Sequence, residues 1–200
     1  MNNLLCHEKL SVRFLTLFGI STILFLIAWA FSYAFLPEAV LRGRTGSVIV
    51  GDEAASSFIG EFLRIAAFNL FAMGTIVASN WILKVRCYPL GYLLPFYFAV
   101  VYAVTLGTNS FSIPLAIRMA PTFEVLARSG VYEIAAFILM AASTFGITAY
   151  RVKRLVPPDS EQIEPKPNFA RDIHWPGFVL AILLLLAANA WEAYRIVYIA

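Results

Sequence analysis

The sequence predicts an all-α integral membrane protein, a bundle of five transmembrane helices with short interfacial helices between them. Hydrophobic residues make up 60% of the 200 residues and charged residues only 14%, and the mean hydropathy is +0.77. This composition is typical of a membrane protein and excludes an ordinary soluble domain. Five apolar runs reach about the 20 residues that a helix needs to cross the hydrocarbon core.

The five runs predict five helices within a single membrane domain, residues 1–200. Their bounds are about 14–36, 58–83, 89–108, 131–150 and 178–200. A cleaved signal peptide is the rival interpretation of the first run, but the run is longer than the roughly 7–15 residues of a signal core. We therefore expect a retained first helix.

Proline and charged residues mark the segments between the helices. Residues 37–57 predict a polar loop. Pro114 and Pro121 prevent one continuous helix over residues 109–129, where we expect short interfacial helices. Residues 151–177 are rich in proline and charge, and predict an extended cytoplasmic linker.

The distribution of Lys and Arg predicts a cytoplasmic N-terminus, because basic residues are enriched on the cytoplasmic side of a membrane protein. With five spans, the predicted inner segments carry Lys9, Arg13, Lys84, Arg86, Arg151, Lys153, Arg154, Lys166 and Arg171. The net charge of +3 is small, so these residues indicate topology and not a nucleic-acid surface.

Cysteine and histidine are sparse and form no site pattern. Cys6 precedes the first run and Cys87 lies between two later runs, without CxxC spacing, which indicates neither a disulfide framework nor a metal site. His7 and His174 both fall outside the predicted spans, so no intramembrane haem or Ser–His dyad is expected. We predict no catalytic residue, no metal and no cofactor, and we expect bound lipid.

Small residues at four-residue spacing predict close helix packing. Gly91, Ala99, Ala103 and Gly107 share one face of the third helix with Pro95, which we expect to bend that helix. Small side chains let neighbouring backbones approach in lipid, so this stripe favours packing over a cofactor site. Further packing positions are predicted at Gly74, Ala78, Ala142 and Gly146.

Charged and polar residues are predicted to share one depth near the outer end of the core, since each helical residue advances about 1.5 Å. This polar layer comprises Glu61, Arg64, Asn109, Glu133, Glu192 and Arg195. Side chains that reach the headgroups separately, a buried network between helices and a transport pathway are the three alternatives. An unpaired ion in the core is costly, so we predict that Arg64 pairs with Glu133, with Arg195 as the second choice.

Short motifs in the middle of the chain resemble the stage II sporulation protein M family of multi-spanning membrane proteins. The resemblance covers roughly residues 58–150 and depends on Asn69, Gly74, Asn80, Gly91, Gly130-x-x-Glu133 and Gly146. The family typically has His-Gly-x-x-Glu at the fourth helix, where this chain has Ser129 in place of the His. The resemblance implies a prokaryotic cell-membrane protein without known catalytic chemistry, whose namesake works with cell-wall-degrading partners.

Together these features predict a non-enzymatic membrane scaffold or an accessory subunit of a membrane complex. Its expected partners are membrane lipid and either other membrane proteins or further copies of itself. A transporter or permease subunit is the first alternative, favoured by the polar layer and Pro95. An accessory subunit of an energy-transducing complex that holds pigment or haem is the second, suggested by 17 Phe, nine Tyr and four Trp residues.

Overall fold

The computed structural model describes residues 3–43, 55, 57–111, 117–122, 129–154 and 159–199. Its α-helices are α1 (Leu10–Phe35), α2 (Phe58–Ile82), α3 (Leu93–Thr108), α4 (Ser129–Ser143), the one-turn α5 (Phe169–Asp172) and α6 (Trp175–Tyr198). Short 3-10 turns cover Leu4–Cys6, Leu90–Tyr92 and Phe145–Ile147. The interfacial helices predicted over residues 109–129 fall largely on residues 112–116 and 123–128, outside the described part.

Four helices within the described residues are long and apolar enough to cross a membrane: Leu10–Phe35, Phe58–Ile82, Leu90–Thr108 and Trp175–Tyr198. The fourth predicted helix, 131–150, is shorter than expected, because α4 ends at Ser143 and the chain enters a 3-10 turn. The apolar part of α4, Gly130–Ser143, falls below this length. The structure therefore supports a helical membrane protein with four membrane-length helices.

A small sheet at one end of the bundle corrects the all-α prediction. It contains β1 (Leu83–Val85), β2 (Tyr88–Pro89), β3 (Tyr150–Arg154) and β4 (Asp159–Gln162) in the order β2-β1-β3-β4. β1 runs parallel to β3, and β2 and β4 are antiparallel to their neighbours. Part of the expected extended linker is thus β-structure, because β1 directly follows α2, β3 follows α4 after a 3-10 turn, and the two strands pair where those helices end.

The two ends of the bundle differ in structure. The sheet end, defined by residues 3–9, 83–92, 144–154 and 159–174, also holds the start of α6, since the His174 backbone N–H donates to the Ser143 carbonyl at 3.0 Å. The far end holds the C-termini of α1, α3 and α6 and the N-termini of α2 and α4. The five long helical segments therefore alternate in direction along the chain.

The core is centred on α4, which contacts α1, α2, α3 and α6. Ala136, Ile138, Ala141 and Ala142 have no exposed surface. Alanine on several sides of one helix lets the neighbouring backbones approach closely. As a result α4 is enclosed although it is the shortest of the long helices.

A disulfide at the sheet end corrects the expectation for the two cysteines. Cys6 and Cys87 are bonded, with their Cα atoms 6.0 Å apart, although 81 positions separate them in sequence. The turn that contains Cys6 lies beside the β1–β2 turn, where the Asn3 side-chain amide donates to the Tyr88 hydroxyl at 2.5 Å. Only the tertiary fold brings these segments together, and spacing along the chain carries no sign of it.

The predicted small-residue stripe of α3 lies against two different helices. At Gly107 an added Cβ would lie 2.9 Å from the Tyr33 backbone nitrogen of α1, and at Gly91 it would lie 2.5 Å from the Ile76 carbonyl oxygen of α2. Ala99 and Ala103 between them are fully buried. The stripe therefore sits where α3 and its preceding turn touch α1 and α2.

Two of the other predicted packing positions have close neighbours within the bundle, and two are exposed on its outer face. Ala142 is fully buried in α4. Gly146 lies in the 3-10 turn, where an added Cβ would be 2.6 Å from the Asp172 carbonyl oxygen. Gly74 and Ala78 are exposed on the outer face of α2, and nothing lies within 4 Å of a Cβ built on Gly74.

Candidate functional site

Three polar side chains meet between α2, α4 and α6 toward the far end, and we call them the polar cluster: Asn69, Glu133 and Asn189. The Asn69 Nδ2 donates to Glu133 Oε1 at 3.0 Å and to Asn189 Oδ1 at 2.7 Å. One amide of α2 thus binds both other helices. Such interhelical hydrogen bonds stabilise helix association in a membrane.

Helical spacing explains how the cluster forms. Asn189 and Glu192 are three residues apart on α6 and share one face, and Glu133 lies one turn inside α4. Ala188 and Ala193 of α6 are buried beside them, and their small size lets α6 approach its neighbours.

An ion pair lies at the N-terminal end of α2. Glu61 is fully buried, and it pairs with Arg64 one turn later on α2 at 2.5 Å. Glu61 also accepts a hydrogen bond from the Ala55 backbone N–H at 2.8 Å. The buried carboxylate is therefore held by a cation and by a backbone donor.

The predicted ion pair between Arg64 and Glu133 is wrong. In the described part of the chain, Arg64 is paired with Glu61, and Glu133 is held by Asn69 instead. Glu61 precedes Arg64 by three residues on the same helix, and neighbours at this spacing meet without any tertiary adjustment. Because the Arg64 guanidinium already pairs with Glu61, an ion pair with a carboxylate on another helix would stabilise it less.

Asn109 lies apart from the polar cluster. It ends α3 in the left-handed conformation, with φ of 52°, and its side-chain amide donates to the Glu38 carboxylate at 2.9 Å. The Arg42 guanidinium donates to its carbonyl, also at 2.9 Å. The predicted layer therefore splits, because equal depth does not place residues on facing sides of the bundle.

A groove between α2, α3 and α4 reaches the polar cluster. Its volume is about 300 Å³, and its lining includes Asn69, Phe98, Tyr102, Thr105 and Glu133. One wall is aromatic, while the other carries the Glu133–Asn69 hydrogen bond. The groove gives the cluster a route to the outside of the bundle.

A second polar arrangement holds the sheet end of α4. Arg13 donates to the carbonyls of His7 at 2.5 Å, Glu8 at 2.8 Å and Ala142 at 3.0 Å. Its guanidinium lies 4.6 Å from the centre of the Phe145 ring. A cation at the C-terminus of a helix is favoured by the exposed carbonyls of the last turn. The sequence interpretation treated Arg13 only as a topology signal.

Asn80 of α2 holds the same end of α4. It is fully buried, and its amide donates to the Ala141 carbonyl at 2.9 Å and to the Thr144 hydroxyl at 2.8 Å. The sequence signal for Asn80 was its place in the family resemblance, without a role. α4 is therefore held by polar side chains at both ends.

At the far end, Arg118 binds the termini of two helices at once. Its guanidinium makes five hydrogen bonds of 2.7–3.1 Å to the carbonyls of Ser32, Tyr33, Leu36 and Gly107. These carbonyls belong to the last turns of α1 and α3, so one cation satisfies acceptors that the helices leave open.

The sheet carries a surface of mixed charge. Lys153 and Glu161 pair across β3 and β4 at 2.8 Å, and this hydrogen bond raises the pKa of Lys153 and lowers the pKa of Glu161. Burial, and then the positive charge of Arg151 on the adjacent strand, lower the pKa of Lys84. The sheet end therefore carries both an ion pair and neighbouring positive charges.

Among the described residues, no group of three or more His, Cys, Asp or Glu side chains is arranged to hold a metal ion. No protein-family model, curated protein or solved structure matches this chain. Arguments about function therefore start from the geometry described above.

Proposed function

We propose that the chain is a non-enzymatic integral membrane scaffold, or an accessory subunit of a membrane complex, as in the stage II sporulation protein M family that it resembles. The enclosure of α4 carries this proposal. Residues Ile134–Ala142 are all apolar and almost all buried, so the middle of the central helix offers no polar group to a substrate. Polar side chains hold its two ends, which favours a rigid unit over a moving carrier.

The outer face of α2 supports a role in assembly. Gly74 and Ala78 are exposed there, and Phe71 beside them has 74% of its surface exposed. Small residues four apart are typical of helix–helix contacts in membranes. Since no helix of this chain covers them in the described part, a helix of a partner or of a second copy is the proposed occupant. The assembly test is given at the end of the Discussion.

A transporter subunit is the second candidate, favoured by the polar cluster and the groove that reaches it. Carboxyl groups inside a membrane protein often mark ion or proton paths. Flux through the purified protein in liposomes, lost in Glu133→Gln, would favour this candidate over the scaffold.

We further propose that the sheet end faces the cytoplasm of a prokaryotic cell. Eight of the 15 basic residues lie at this end, and the side chain of a ninth, Arg13, reaches it: Lys9, Lys84, Arg86, Arg151, Lys153, Arg154, Lys166 and Arg171 are the eight. The Cys6–Cys87 disulfide favours the opposite side, because disulfides are typical of oxidising compartments. We propose the cytoplasmic side because the charge distribution draws on nine basic residues, whereas the disulfide is a single feature.

Thiol labelling decides the orientation. In a chain that also carries Cys6→Ser and Cys87→Ser, we expect a membrane-impermeant reagent on intact cells to label Gly43→Cys. Asp159→Cys should react only after the membrane is opened. Labelling of Asp159→Cys from outside would reverse the proposed orientation and would agree with the disulfide.

A further inference from the structure

We propose that the groove between α2, α3 and α4 binds an organic cation with an apolar body, such as a quaternary ammonium or phosphonium ion. The charge of the ion would lie beside the Glu133 carboxylate, and its apolar part would lie against the aromatic side chains of the groove. This inference goes beyond the scaffold role and does not depend on it, since a rigid bundle and a carrier can both contain such a site.

The first observation is the composition of the groove, whose volume is about 300 Å³. Among the described residues, its lining includes one carboxyl group, Glu133, and four aromatic side chains: Phe68, Phe98, Tyr102 and Phe137. A carboxylate attracts a cation by its charge, and an aromatic ring attracts a cation that lies over its face. Apolar walls with a few polar groups are typical of small-molecule sites, and this volume is at the lower end of their range of roughly 300–1,000 Å³.

The second observation is the order of these side chains along the helices. On α4, Gly130, Glu133 and Phe137 follow one another at intervals of three and four residues and therefore share one face. A Cβ added at Gly130 would meet the Tyr102 ring, so α3 packs closely against α4 one turn before Glu133. One turn after Glu133, the ring centroids of Phe98 and Phe137 are 5.2 Å apart. Aromatic side chains of α3 therefore lie one helical turn to either side of the carboxyl group.

The third observation is the way in which Glu133 is held. Its side chain is partly exposed, and its Oε1 accepts a hydrogen bond from the neutral amide of Asn69 at 3.0 Å. This contact orients the carboxyl group but brings no positive charge to it. A carboxylate has about four acceptor positions, so this one bond does not exhaust them. An ionised group inside a membrane protein is costly without an opposite charge, and a bound cation supplies that charge.

The chemistry of the lining favours an organic ion over a metal ion. Ca²⁺ and Mg²⁺ take about six or more oxygen ligands. In the part of the chain that the structure describes, no group of three or more His, Cys, Asp or Glu side chains is arranged to hold a metal. One carboxyl group beside several rings suits an ion that needs few hydrogen bonds and a large apolar contact area.

Equilibrium dialysis of radiolabelled tetraphenylphosphonium against the purified protein in lipid nanodiscs tests the proposal. We expect saturable binding of one ion per chain, above the binding to empty nanodiscs. Unlabelled tetraphenylphosphonium should displace the label, whereas triphenylphosphine oxide, which has similar rings but no charge, should not. Glu133→Gln should weaken binding by about tenfold or more, because it removes the charge that faces the cation while it keeps an acceptor for Asn69.

Two pairs of variants locate the bound ion. Glu161→Gln removes a carboxylate that pairs with Lys153 on the sheet, and it should leave binding unchanged. Phe98→Leu keeps an apolar side chain but removes a ring of the groove, and it should weaken binding severalfold. Phe31→Leu is its control, because Phe31 is exposed on α1, away from the described lining of the groove.

Absence of saturable binding to the wild type would overturn the proposal. Equal displacement by the neutral phosphine oxide would also overturn it, by showing a groove that takes any apolar molecule. Unchanged binding in Glu133→Gln would do the same, since the carboxylate would then not be the partner of the cation. The comparison of the charged and the neutral competitor on the wild type decides the question even where a variant fails to fold.

Discussion

Replacing Arg118 with methionine is expected to lower the free energy of unfolding by about 4 kcal/mol, because hydrogen bonds from a charged group contribute about 1.5–3 kcal/mol each and do not add fully. Methionine has a similar length but cannot donate. The variant leaves the carbonyls of Ser32, Tyr33, Leu36 and Gly107 without the guanidinium that now binds them. Water at the far end can replace part of these bonds, which limits the loss. Thermal and denaturant unfolding in a mild detergent measure the effect.

Two further variants separate this role from general loss of charge. Arg118→Lys keeps the charge but not the planar set of donors, so we expect it to recover only a small part of the stability. Arg171→Met is the control, since Arg171 is exposed and pairs with adjacent Asp172, and its loss should leave the free energy of unfolding nearly unchanged. Equal stability of Arg118→Met and Arg171→Met would contradict the assigned role.

Replacing Gly91 with alanine is expected to destabilise the fold by about 3 kcal/mol, as overfilling a close contact does. A Cβ at this position would lie 2.5 Å from the Ile76 carbonyl oxygen, and it would also meet the Asn80 side chain. The backbone of α2 must move to accommodate it, and Asn80 would then lose its alignment with Ala141 and Thr144. The disturbance therefore reaches the sheet end of α4.

Gly19→Ala is the matched control for Gly91→Ala. Gly19 lies in the interior of α1 with open space around its Cα, and alanine is the better helix former by about 1 kcal/mol. We expect the control to keep or slightly raise the melting temperature. Loss of stability in Gly19→Ala alone would mean that the two glycines have been assigned to the wrong environments.

The four membrane-length helices were predictable because long apolar runs are visible in a single sequence. Close helix contacts at Gly91 and Gly107 were also predictable, because small residues at helical spacing are typical of helix packing in a membrane. The partner of each position was not predictable. Gly91 lies against α2 while Gly107 lies against α1, and nothing in the stripe distinguishes them.

The candidate site was predicted in part. Glu133 was singled out because a carboxylate in a span needs a partner, and Glu192 was placed in the same layer. The partner predicted for Glu133 was wrong because charge alone favoured Arg64, whereas Glu61 lies one turn away from that guanidinium. The bridging role of Asn69 depends on the rotation of three helices, and periodicity along one helix does not determine it.

The sheet and the disulfide arise from contacts between distant segments. β1 pairs with β3 across more than 60 residues, and Cys6 meets Cys87 across 81. The strands are only three and five residues long, too short for a reliable alternation signal. These features depend on where α2 and α4 end. The sequence predicted that α4 ends at residue 150, whereas it ends at Ser143.

The mass of the intact assembly tests the proposed scaffold role most directly. The protein is extracted from its own membranes together with the surrounding lipid, and native mass spectrometry gives the mass of each complex. We predict a complex of fixed stoichiometry with another membrane protein or with further copies of this chain. Gly74→Leu, which fills the exposed face of α2, should dissociate that complex without unfolding the chain, whereas Glu161→Gln should leave it intact. Recovery of the wild-type chain only as a monomer with lipid would contradict the scaffold role.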